Sequence, residues 1–427
     1  MLRAARLASQ SSRRSFATVV DAAGGVKVAT VDNGQPISTV TVLLKAGSRY
    51  EQKPGLAHVL SNFAFKSTGK RSALGTVREA ELRGGLLSST LSREHLALTA
   101  EFLRGDESFF VDVLADYIAG AKFTRHELTE YVLPAVLAES AAVSHSNSTR
   151  ALELAHAFAF RSGLGHSLYA DEHSVGSITA EDVKAFHAQS LSSLAVLGTG
   201  ISSDALTSLF EKGFKKAGIS PSTADASASK SSYYGGSTRV TAGHGPQTVF
   251  IGFGTSGTAS LPALYALNAH ISPAPSVKWT TGTSTLSASI PAGVHASTVI
   301  LPYSDATLFG VLLEGYDAKA VSAASKAAVD AFKSTASKVS AEDATKAVAK
   351  AKFTIAGGVE KREGFVSLLG PKVLSGEQAG LDSTVKAVEA VDAAAISKLA
   401  GDLLKSNPTI VAIGDIHTLP YQDELGL

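Results

Sequence analysis

A histidine with a carboxylate three residues on and a second histidine directly after it can hold a zinc ion and polarise its bound water. On a helix this HxxEH spacing puts both imidazoles on one face, with the glutamate as general base. Between Gly55 and Gly69 the five positions read His58, Val59, Leu60, Ser61 and Asn62. Ser61 cannot take up a proton near neutral pH, and Asn62 supplies an amide where the second imidazole would be. An isolated histidine on an apolar helix is ordinarily a packed, hydrogen-bonded side chain. Neither reading of His58 leads to catalysis.

The flanks carry more information. Gly55-Leu56-Ala57-His58, followed by Phe65-Lys66, Thr68 and Lys70-Arg71, resembles the active-site helix of the pitrilysin-type (M16) peptidases and their mitochondrial relatives. In the processing-peptidase branch the third zinc ligand is a glutamate at a fixed distance past the motif, and with Asn62 as the motif's last position that distance falls on Glu139. A catalytic zinc needs three protein ligands and an open position; His58 and Glu139 would supply two, without a base. The resemblance therefore implies an inactive metallopeptidase homologue with no catalytic residues, His58, Ser61, Asn62 and Glu139 being remnants, and with no metal or cofactor of its own.

The tail, Pro420-Tyr421 with Asp423-Glu424-Leu425, resembles the core subunits of the mitochondrial bc1 complex. The glycine-rich loop of presequence-binding subunits has no counterpart, since the local glycine concentrations are pairs such as Gly84-Gly85 and Gly235-Gly236. The resemblance implies a non-catalytic structural and assembly subunit of respiratory complex III, peripheral on the matrix side of the inner membrane. Its partners would be core protein 1, with cytochrome b, cytochrome c1 and the iron-sulfur protein as fellow members. The alternative is the non-catalytic alpha-type subunit of the mitochondrial processing peptidase.

Other chemistry is thin. With no cysteine among 427 residues, disulfides, thiol nucleophiles and thiolate metal sites are excluded. Gly252-Phe253-Gly254 with Gly257 spells GxGxxG, but no βαβ alternation surrounds it, so a structural turn is expected. His145, His156 and His166 are too loosely spaced for a compact metal motif, and Arg93-Glu94-His95 reads as a strand-edge cluster.

The first sixteen residues hold Arg3, Arg6, Arg13 and Arg14 and no acid. On a helical wheel at ~100° per residue the arginines fall within roughly 100°, opposite Ala4, Ala5 and Ala8. This is the pattern of a mitochondrial presequence, with cleavage expected near Phe16 and Ala17. Removing those four arginines takes the net charge from +1, for 39 basic and 38 acidic residues, to −3. Such a chain has no bulk electrostatic reason to bind nucleic acid. The longest uncharged run, Val240 to Val277, is broken by glycine and proline and cannot supply some 20 contiguous apolar residues for a membrane span.

The positioning elements follow from periodicity. Strands are expected at Val26–Val31 and Ile37–Ala46, the motif helix from Gly55, a helix over Thr76–Arg83, and a strand pair within Leu86–Leu103. Asp106 opens a helix that Gly120 stops, and Thr124 with Glu127 spells a capping box for the helix bearing Glu139. Thr179 and Asp182 cap a helix leading into the strand Leu194–Thr199. Residues 218–239, crowded with Ser, Ala, Thr and Gly, read as a linker. Beyond it the plan recurs in the same order at a nearly constant offset: the strand Val249–Gly254, the helix Leu261–Ile271, caps at Ser340 and Asp392, and the strand ending at Gly414. Asp317–Ala356 reads as two smooth, alanine-rich helices suited to close packing.

The expected fold class is α+β, with two homologous M16-type domains at 17–217 and 240–427 after a presequence at 1–16. Each is a mainly antiparallel sheet packed with helices. In the family the two halves face each other around an internal cavity.

Overall fold

A computed structural model describes residues 18–21, 26–32, 34–217, 229–275, 279, 282, 284–375 and 380–427. The presequence, its cleavage point at Phe16 and Ala17, and linker residues 218–228 lie outside the described residues.

Eleven strands are described: β1 (Thr18–Asp21), β2 (Lys27–Val31), β3 (Ile37–Leu44), β4 (Leu86–Leu91), β5 (Leu96–Leu103), β6 (Leu194–Thr199), β7 (Gly236–Thr241), β8 (Gln247–Ser256), β9 (Val294–Pro302), β10 (Ala306–Gly315) and β11 (Thr409–Gly414). They form two sheets, in the orders β1-β2-β6-β3-β5-β4 and β7-β11-β8-β10-β9. Among the described strands only β2 with β6 and β7 with β11 pair in parallel. Without β1 the two orders are the same, so that β8, from Gln247, takes the place that β3, from Ile37, holds in the first sheet. The repeat in the sequence is thus a repeat of the fold, α+β as expected.

Helices that cover these sheets include α1 (Leu56–Asn62), α2 (Glu107–Gly120), α3 (Leu133–Ser144), α4 (Asn147–Phe160), α5 (Ala180–Ser190), α6 (Leu261–Ile271), α7 (Ala318–Ser337), α8 (Ala341–Glu360), α9 (Arg362–Ser375), α10 (Leu381–Glu389) and α11 (Ala393–Lys405). One face of each sheet packs on its own half. Val28, Val40, Val42 and Leu44 meet α1, α2 and α5, and Val249, Ile251, Phe309 and Val311 meet α6, α7 and α11.

The opposite faces are covered by the other half. Ala29, Leu43, Ala195 and Leu197 of the first sheet lie under Ile355, Val359, Phe365, Leu369 and Val373 of α8 and α9. Phe250, Leu308, Leu312, Val411 and Ile413 of the second lie under Ala151, Ala155, Ala159 and Phe160 of α4. Alanines four apart make a narrow helix face, which lets α4 sit close on the sheet. This exchange explains why β3 and β10 are buried almost throughout instead of alternating. Along these contacts the halves pack directly. Beside them lies a cleft of about 280 Å³ lined by Tyr265, Pro302, Tyr303 and Leu368.

Several elements depart from expectation. Residues 229–239 are not a free linker: 236–241 is β7, the Tyr233 hydroxyl donates to Asn407 O at 2.7 Å, and Tyr234 N donates to Ala159 O at 2.8 Å. Backbone pairing and two aromatic anchors outweigh a composition poor in apolar side chains. Thr124 does not cap its helix end by the box; its hydroxyl donates to the Glu127 carboxylate at 2.6 Å, which also accepts Ser67 N at 3.1 Å. Gly252 and Gly254 lie inside β8 and not in a turn. A Cβ at Gly252 would meet the Phe250 ring at 2.6 Å, and one at Gly254 the Tyr233 ring at 2.1 Å. The glycines make room for aromatic side chains.

Candidate functional site

The motif helix α1 begins at Gly55, whose φ of +84° and tight approach to Ala170, 2.3 Å from a would-be Cβ, admit only glycine. Its N-terminal amides are satisfied by Glu51, whose Oε2 accepts Ala57 N at 3.1 Å. Burial pushes the Glu51 carboxyl up to about 7, against the opposing pull of the Ala57, Gly55 and Leu56 amides. A raised carboxyl pKa means that the folded chain holds a proton that the unfolded chain releases. Stability contributed by Glu51 is therefore complete below about pH 4.5 and is lost as pH rises towards 7. Glu51→Gln is expected to remove this slope, gaining on the native chain by up to about 3 kcal/mol between pH 5 and 8. Urea unfolding at both pH values measures it; parallel curves for the two proteins would refute it.

His58 is buried, and both of its ring nitrogens are engaged. Nδ1 accepts Ala170 N–H at 3.2 Å, and Nε2 lies 2.6 Å from Glu139 Oε2. Since a backbone N–H can only donate, the proton of the neutral ring sits on Nε2 and is given to Glu139. Asn62 Nδ2 donates to the same carboxylate oxygen at 3.1 Å. Tyr169 stands edge-on to the imidazole, centroids 5.4 Å apart. The Ser61 hydroxyl points away from this group, 3.5 Å from Ser89 Oγ, while Ser89 Oγ donates to Ser61 O at 3.0 Å.

Glu139 is presented by α3, and the turn before α3 is a π-segment, Leu128–Val132, with Leu133 N bonded to Leu128 O. Pro134, second in α3, has no N–H to return to Glu130, so the backbone widens there. His58, Asn62 and Glu139 thus converge on one point, where the resemblance places the family's ligands, and Ser61 does not join them. Among the described residues no group of three or more His, Cys, Asp or Glu side chains is placed to hold a metal.

A second polar cluster, which the sequence reading misses, lies between the halves. Arg49, only 4 % exposed at its side chain, donates to Glu94 Oε1 at 2.7 Å and to both oxygens of Asp305, at 2.8 and 2.6 Å. It also donates to Ser229 O at 2.9 Å. Glu94 accepts Ser304 N at 3.0 Å, and Asp305 accepts Ser231 N at 2.8 Å. Burial works against the Arg49 charge, and the Asp305 hydrogen bond and charge more than restore it.

Beside this cluster Arg93 donates to Glu153 at 2.7 Å, and His156 Nε2 accepts the Tyr303 hydroxyl at 2.7 Å. Burial, then the Arg93 charge, holds His156 well below its ordinary value. Arg93 and Glu94 of the expected strand-edge cluster are therefore buried in this junction. The available signal was three ionisable residues in succession at the turn of one hairpin.

Among the described residues no helix is long and apolar enough to cross a membrane. The family description "Insulinase (Peptidase family M16)" matches residues 27–172, which include α1 and Glu139. The cytochrome b-c1 complex subunit 2, mitochondrial, of Cryptococcus neoformans is 46% identical, over 97% of this chain and 95% of its own length. The proteins of that name from Yarrowia lipolytica and Neurospora crassa are 35% and 36% identical, over 96% and 94% of this chain and 97% and 90% of theirs. With both halves and the exchanged helices spanned by those matches, the chain belongs to the family of mitochondrial cytochrome b-c1 complex subunit 2, with an M16-type fold.

Proposed function

We propose that this chain is a non-catalytic structural core subunit of mitochondrial complex III, built on a zinc-peptidase helix that no longer holds zinc. Membership is supported by the near end-to-end match to relatives named as that subunit. The non-catalytic character rests on the hydrogen bonding of His58. A zinc ligand must offer a lone pair, and in His58 one nitrogen takes a backbone N–H while the other gives its proton to Glu139. Asn62 supplies an amide and Ser61 a hydroxyl where ligand and base would be. The zinc that the family implies does not fit this donor set. His58, Asn62 and Glu139 act as a tie between α1 and α3.

In this reading the chain sits peripherally on the matrix side of the inner membrane. It pairs with core protein 1, and cytochrome b, cytochrome c1 and the iron-sulfur protein are members of the same assembly. Two covered sheets leave a chain whose helices present broad outer faces to a partner of like fold. Purification of the tagged chain from mitochondria in mild detergent tests this. Stoichiometric b- and c-type haem bands in the reduced-minus-oxidised spectrum are expected; a haem-free dimer that cleaves presequences would make it the processing-peptidase subunit instead. Glu139→Ala should leave the haem bands unchanged and cost about 1–2 kcal/mol by stranding the His58 N–H, read from chemical unfolding. Loss of haem with unaltered stability would contradict a purely structural tie.

A further inference from the structure

Away from the motif helix, two exposed histidines from opposite halves meet. His145, directly after α3, and His244, in the β7–β8 loop, have ring centroids 5.1 Å apart and planes inclined by 35°. We propose that His145 and His244 together form a surface site for a borderline divalent cation of the zinc type, stapling the end of α3 to the second half.

Three observations carry this. The first is separation: imidazoles sharing one tetrahedral zinc at about 2.0–2.1 Å from each nitrogen have centroids about 5 Å apart. The second is the tautomer of His145. Its Nδ1 lies 2.7 Å from Ala141 O, and a carbonyl only accepts, so Nδ1 carries the proton and Nε2 of the neutral ring keeps its lone pair. A ring N–H given to a backbone carbonyl is the arrangement that orients ligating histidines.

The third is preorganisation. Asn147, 2 % exposed and two residues beyond His145, donates through Nδ2 to His244 O at 3.1 Å and to Pro246 O at 2.8 Å. Between those two carbonyls Gly245 turns with φ +76°. A buried amide therefore fixes the loop that presents His244 opposite His145. No third His, Cys, Asp or Glu joins the pair among the described residues, so water completes the coordination and the ion exchanges readily. Imidazole ligands favour zinc, copper and nickel over magnesium or calcium.

The test uses the untagged full chain, stripped with chelator and titrated with zinc alone at pH 7.5, followed by calorimetry and by thermal unfolding. One zinc per chain and a saturable rise in melting temperature are expected. His145→Ala and His244→Gln should each weaken binding more than about 10-fold. Absence of saturable binding, or binding that survives both substitutions, would overturn the site. Binding that persists in those variants and disappears in His58→Ala would place the metal on the motif helix, against this proposal and the non-catalytic reading together.

Discussion

Arg49→Ala is expected to destabilise the chain by about 3–5 kcal/mol, because it leaves carboxylates facing each other in the junction without their counter-charge. The guanidinium is nearly inaccessible and bridges Glu94 of the first half to both oxygens of Asp305 of the second. The 3-10 turn that presents it, Ser48–Tyr50, is pressed on the β4–β5 hairpin: Arg49 N donates to Arg93 O at 2.8 Å, and a Cβ at Gly47 would lie 2.2 Å from that same oxygen. The site cannot relax by backing the turn away. Arg49→Lys keeps the charge but loses the forked geometry, so an intermediate loss is expected. Urea unfolding of both variants decides it; a loss below about 1 kcal/mol for Arg49→Ala would mean that water already screens the pair.

Phe160→Ala should cost about 3–5 kcal/mol through the cavity it leaves between α4 and the second sheet. Phe160 is 1 % exposed and packs among Phe250, Leu308 and Val411, with edge contacts to Tyr233 and Tyr303 at 6.3 and 6.4 Å. Because α4 belongs in sequence to the first half, the loss should appear in the second. Hydrogen exchange should quicken in β8 and β11 while β3 and β5 keep their protection. Equal quickening in both sheets would show that the halves unfold as one unit and that α4 is no separable cover.

The motif residues show how far local spacing reaches. A four-residue step on a helix sets His58 and Asn62 on one face, and the helix ending near His145 carries Glu139 to the same point. The chemistry those residues cannot perform is equally local: a hydroxyl at position 61 and an amide at position 62 hold whatever the surroundings. What spacing could not show is the proton on His58 Nε2. That depends on Ala170, 112 residues along the chain, and on a backbone N–H, which every non-proline residue carries and no composition distinguishes.

The sheets divide in the same way. Strand runs, the helix Leu261–Ile271, the caps at Thr179, Ser340 and Asp392, and the repeat across the two halves are properties of short windows, where apolar period and capping chemistry act over a few residues. The hairpin of β9 and β10 has no Asn-Gly type signal at its Tyr303-Ser304-Asp305 loop, and that loop instead supplies the groups that bind Arg49.

By itself, then, the sequence determined the α+β repeat, the serine and asparagine at positions 61 and 62 of the motif helix, and the kinship with the M16 fold, because each rests on residue identity at fixed spacing. Only the tertiary structure decided that each half covers the other's sheet and that Arg49 locks the junction. Long-range packing pairs faces by shape and buried charge, and those partners lie up to 256 residues apart, beyond any periodicity.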